Sequence, residues 1–218
     1  MDDWAEQAER AKSRFADGAA RLPSEPDERQ RQLTRMGNAA WAAGLSLLMA
    51  GHADEARDWL LRSAETYRRS WDDAPPESWG RPLGALKSRL IAGDLTGARA
   101  DAQWPLAAGA AESESRIGRY CAALACLVLG DDEQAAGLAT TFEGADAIPH
   151  AVAATLVALA AHDGRRYESA VRALLVDFEA RGDFLEDTRV ADTVLALQAL
   201  AAERGLAVEL DSPLLPRG

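Results

Sequence analysis

Cysteine, lysine and histidine are all scarce in this 218-residue chain, which holds two, two and three of them. Cys121 and Cys126 lie five apart in one apolar run. On a helix that spacing separates them by about 140°, so they cannot bridge each other locally. They read as small buried hydrophobes of a reducing compartment. Three dispersed histidines leave little from which to assemble a nucleophile, a base and an orienting group, and no His or Cys pair has the i, i+3 or i, i+4 spacing of a helical metal site. No uncharged apolar stretch approaches the ~20 residues of a membrane span. The longest candidate, residues 147–161, contains Pro149 and His150. The start, Met1-Asp2-Asp3-Trp4, has neither the basic nor the apolar region of a secretory signal. Positive charge is also short: 24 basic against 35 acidic residues give a net charge of −11. That balance argues against nucleic acid, which is bound through clustered Lys and Arg, and against anionic membrane surfaces. A cytoplasmic protein without cofactor or metal is expected.

What is present is helical. Almost nothing alternates with period two; instead Ala, Leu and Val recur at three and four, as in Ala42, Leu45, Leu48 and Met49. The breaks share a form. Gly51-His-Ala-Asp-Glu-Ala56, Gly93-Asp-Leu-Thr-Gly-Ala98 and Gly130-Asp-Asp-Glu-Gln-Ala135 each set Ala five residues after Gly. Asp163-Gly164-Arg-Arg-Tyr-Glu-Ser-Ala170 reads as the same turn with one residue inserted. Gly takes the left-handed conformation that closes one helix, a following Asp caps the next, and Ala permits close approach. The turn glycines are spaced by 42, 37 and 34 residues, a period that predicts stacked helical hairpins. Helices are expected near 2–20, 27–50, 53–70, 82–92, 95–108, 113–129, 132–142, 148–162, 165–181 and 187–204. Ser24 is expected to cap the second helix, with Pro26 in its first turn. Residues 72–79, with Pro75-Pro76, read as a rigid loop.

These turns resemble the tetratricopeptide repeat family, which carries a Gly at the hairpin turn and a small residue five further on. Gly44, seven before Gly51, matches another small position of that family, whereas Leu86 and Ala123 depart from it. The resemblance covers residues 38–181 and implies an all-α fold of antiparallel hairpins stacked as a short solenoid. Within a single domain, 1–218, this places N-terminal helices in 1–37, hairpin repeats in 38–181, a C-terminal capping helix in 182–207 and an extended tail in 208–218. The fold hosts scaffolds, adaptors and sensors alike. A second resemblance, on Asp192-Thr-Val-Leu-Ala-Leu-Gln-Ala-Leu-Ala-Ala-Glu-Arg-Gly205 and Asp211-Ser-Pro-Leu-Leu-Pro216, is to immunity-49-type proteins, all-helical antitoxins of bacterial polymorphic toxin systems.

Candidate sites follow from exposure and charge. All six tryptophans lie in the first half, and residues 1–109 and 110–218 carry net charges of −2 and −9. Trp41 and Trp59 fit a hairpin core. Tyr67, Arg68, Trp71, Trp79 and Arg81 flank the Pro75-Pro76 loop and are of the types enriched in interface hot spots. They either contact a partner, or Trp71 and Trp79 fold back to seal the groove between hairpins. Arg29, Arg31 and Arg35 are either a solvated face or a site for an acidic partner. Asp131-Asp132-Glu133 suggests a cation motif but equally complements a helix dipole. His52, His150 and His162 sit at turns or helix starts. The expected function is non-enzymatic: recognition of a protein or peptide on a concave face. The alternatives are antitoxin-like inhibition of a basic toxin, a small-molecule sensor or enzyme with an internal pocket, and self-association as a homodimer.

Overall fold

The computed structural model describes residues 3–142 and 150–217. Among them run ten α-helices and no β-strand: α1 Trp4–Ala20, α2 Pro26–Met49, α3 Ala53–Trp71, α4 Gly80–Ile91, α5 Leu95–Ala107, α6 Arg116–Leu129, α7 Asp132–Thr140, α8 His150–Ala160, α9 Gly164–Glu179 and α10 Asp192–Glu203. None of these is long and apolar enough to cross a membrane. The expected helix starts at residues 2 and 148 lie outside the described residues.

The turns work as their sequences require. Gly51, Gly93 and Gly130 adopt φ of 82°, 69° and 84°. In each turn two N–H groups reach back to close the preceding helix; the pairs at the first are Gly51 N–H to Leu48 O at 3.1 Å and His52 N–H to Leu47 O at 2.9 Å. Asp94, Asp131 and Asp163 then accept the N–H of Gly97, Gln134 and Arg166 at 2.9, 3.2 and 3.0 Å. Ala56, Ala98 and Ala135 are wholly buried. Gly44 faces Leu60 so closely that a Cβ there would lie 2.7 Å from Leu60 Cγ.

Two local expectations are corrected. The fourth turn has no inserted residue: His162, not Gly164, takes the left-handed conformation at φ 52°. The position five further on is therefore Tyr167, which is fully buried and donates to Gln198 Oε1 at 2.7 Å. Glu25, not Ser24, caps α2, accepting the Glu28 N–H at 2.8 Å beside Pro26. The longer Glu side chain reaches the free amide from a residue already in extended conformation.

Successive helices pack against one another from α1 to α9, and α6 also touches α4 and α8. The C-terminal segment does not cap the end of this array. After α9, the strap of residues 180–191 runs back to α2, with a single helical turn at Leu185–Asp187, and α10 lies against α4, α8 and α9. Glu186 and Asp187 are both left-handed there, at φ 53° and 55°. This explains why α10 starts at Asp192 and not near 187. The tail beyond Val208 is irregular but pinned: Leu214 O accepts from Ala191 N–H at 3.0 Å, and Leu214 and Leu215 are buried.

Candidate ligand-binding cleft

The five residues singled out around the Pro75-Pro76 loop are mostly internal. Tyr67 and Trp79 are each 4% exposed and Arg81 is 8% exposed. The Tyr67 hydroxyl donates to Asn38 Oδ1 at 2.7 Å, and Trp79 Nε1 donates to Ser113 Oγ at 3.1 Å. Arg81 donates to Ser70 O at 2.5 Å and to Gln30 Oε1, and burial lowers its pKa. Trp71 sits half-buried between Trp79 and Trp104, with ring centroids at 5.6 and 5.3 Å. Arg68 alone is exposed, its guanidinium 4.4 Å above the Trp104 ring. The indoles close the seam between α3, α4 and α5, with Tyr67, Trp79 and Arg81 buried beside it. Arg29 and Arg31 pair with Asp73 and Asp27 at 2.6 and 2.8 Å, and Arg35 bonds Gln32 at 3.2 Å.

Among the groups weighed for chemistry, the two thiols are sealed, and Asp131, Asp132 and His162 have partners. Burial pushes both thiols up, that of Cys126 to about 11, which leaves neither as a thiolate. Asp131 caps α7, while Asp132 meets Arg204 at 2.7 Å and His162 at 2.9 Å. The Arg204 guanidinium also donates to Leu127 O and Leu159 O at 2.8 and 3.2 Å, near the C-terminal ends of α6 and α8. A cation there complements two helix dipoles and ties the end of α10 to the array. Among the described residues no three His, Cys, Asp or Glu side chains gather as metal ligands. His52 is an exposed turn residue, and α8 begins at His150.

A cleft of about 290 Å³ remains where the strap crosses the face of α2, α4 and α6. Its walls are aromatic: Trp41, Tyr67, Tyr120, Phe178 and Phe184. At one side Lys87 of α4 pairs with Asp192 at the start of α10 and donates to Thr193 Oγ1 at 2.9 Å. The Thr193 N–H donates to Asp192 Oδ1 at 2.7 Å, so both members of this nearly dry pair have further partners. Tyr120 is 5% exposed, and its hydroxyl, buried beside Thr193, has no accessible surface in the cleft. Burial, reinforced by the Asp192 charge, raises its pKa, so it stays protonated and a donor. At the rim stand Gly80, Arg181 and Asp183. Arg181 lies 3.9 Å over the Phe178 ring, and neither Arg181 nor Asp183 forms an ion pair among the described residues.

Sequence reasoning did not find this cleft. One signal was present: Lys87 is one of only two lysines and sits inside an apolar helix, where an ammonium requires a partner. Nothing local pointed to Asp192 as that partner, or to Tyr120 and the strap. Comparison with protein-family models, with curated proteins and with solved structures finds no match for this chain.

Proposed function

We propose that the protein is a non-enzymatic, tetratricopeptide-like binding module that takes a small ligand in the cleft beneath its C-terminal strap. In this reading α2 to α9 form a short solenoid of hairpins whose first helices line the inner face. The observation that carries it is the position of α10. An extended peptide or partner helix would need the inner face of such a solenoid; α10 lies against α4, α8 and α9 and the strap against α2, and the aromatic cleft stays open beneath them. Its volume, about 290 Å³, falls at the small end of ligand sites. Apolar walls with a few convergent polar groups are what such sites require. The buried thiols and the separated histidines supply no nucleophile, which supports binding over catalysis.

Gly80 provides the test. It lies on the cleft rim, and a Cβ there meets nothing within 4 Å. Gly80→Phe therefore obstructs the cleft without disturbing the core. The full chain is screened by ligand-observed NMR against cocktails of free amino acids, nucleosides and small carboxylic acids. At least one class binds the wild type and is lost in Gly80→Phe, while the unfolding temperature stays the same. Identical spectra for both proteins with every probe would refute the cleft as the recognition site.

A further inference from the structure

Two unpaired charges at the rim of the cleft and its aromatic wall together describe one ligand. The Lys87–Asp192 pair is internally balanced, so the charges left to a ligand are the Arg181 guanidinium and the Asp183 carboxylate, two residues apart on the strap. The Arg181 guanidinium lies 3.9 Å over the Phe178 ring, and a planar guanidinium held against a ring can take a carboxylate by two parallel hydrogen bonds.

From this we infer that the cleft receives a free apolar α-amino acid. Its carboxylate faces Arg181, its ammonium faces Asp183, and its side chain lies among Trp41, Phe178 and Phe184. The inference rests on the cleft being the recognition site. Charge supports it: Lys87 and Arg181 balance Asp183 and Asp192, so a zwitterion leaves no net charge uncompensated, whereas a simple acid or amine leaves one. Size supports it as well, since about 290 Å³ admits a ligand of amino-acid dimensions. A peptide terminus offers only one of the two charges.

The experiment is calorimetric titration of the full chain with L-leucine, L-phenylalanine, N-acetyl-L-phenylalanine and L-phenylalanine amide. The two free amino acids bind. Acetylation, which removes the ammonium, and amidation, which removes the carboxylate, each weaken binding by about tenfold or more, as expected for hydrogen bonds to charged groups. Asp183→Asn abolishes the discrimination against the acetylated probe, and Arg181→Gln that against the amide. Neither substitution shifts the unfolding temperature, because neither side chain forms an ion pair among the described residues. A blocked probe that binds as tightly as L-phenylalanine overturns the inference. If neither amino acid binds but a nucleoside or simple acid does, and Gly80→Phe removes it, the ligand class is wrong and the site stands. If no probe is sensitive to Gly80→Phe, both fail.

Discussion

Removing the Lys87 ammonium tests whether charge holds the C-terminal segment onto the array. The Lys87 and Asp192 side chains are 14% and 11% exposed, so water can replace little of their mutual interaction. Breaking a buried pair from one side costs about 3–5 kcal/mol, because the remaining charge stays buried without its partner. In Lys87→Met the Asp192 carboxylate keeps the Thr193 N–H at 2.7 Å and borders a half-open cleft. Both features reduce the penalty, to about 2–3 kcal/mol. Asp192→Asn alone has a similar cost, since it strands the ammonium. The double variant leaves neither charge and costs no more than either single variant, giving a coupling of about 2–3 kcal/mol in the cycle. Urea unfolding of the four proteins measures these energies, and amide exchange in α10 shows whether the loss is local or global. Single variants within 0.5 kcal/mol of wild type, or strictly additive effects, would show that packing alone seats α10.

Two further predictions rest on geometry of the same kind. Gly84→Ala places a Cβ 2.8 Å from the Tyr67 ring, which Asn38 and Gly37 hold in place, and destabilises by about 1–3 kcal/mol. Gly80→Ala, in open space on the same helix, is neutral or stabilising by up to about 1 kcal/mol, and a thermal-unfolding comparison in which the two behave alike would refute the close packing. In acid, burial raises the Asp132 carboxyl, but its hydrogen bonds from Arg204 and His162 outweigh that and hold it below the ordinary carboxylate range. Its contribution is therefore complete above about pH 4 and fades as pH falls through the depressed folded value. Asp132→Asn is less stable than wild type by about 1 kcal/mol at neutral pH, and urea midpoints of the two converge near pH 2; a constant gap would refute the linkage.

Local signals carried most of the helix ladder. Gly51, Gly93 and Gly130 marked turns because no other residue enters the left-handed region so readily, and Asp94, Asp131 and Asp163 marked the helix starts that follow. His162 escaped notice because it does the work of a turn glycine without being one, and Asp132 Oδ2 holds it there by accepting its Nε2–H at 2.9 Å. The exchange displaced the reading of that turn by two residues, from His162 to Gly164, and hid Tyr167 as the counterpart of Ala56. Around the Pro75-Pro76 loop, composition identified the right residues but could not decide their direction. An indole is equally suited to an interface and to a seam, and only the positions of Ser113, Trp104 and Gln30 resolve the choice.

The cleft was illegible for a different reason. It is made by a pairing between residues 106 positions apart, Lys87 and Thr193, and helical periodicity carries no information over that distance. What brings the segment back is charge at both ends of α10. Asp192 meets Lys87 at its start, and Arg204, just past its end, meets the carbonyls near the ends of α6 and α8. Between them lies an apolar helix, with Val194, Leu197 and Leu200 buried; apolar packing alone fixes register weakly, and the two polar anchors fix it at both ends. That register leaves the strap spanning α9 to α10 across the aromatic wall, with Arg181 and Asp183 at its edge and unpaired among the described residues. The contacts that seat α10 therefore also define the opening, so a ligand in the proposed site would act directly on this segment.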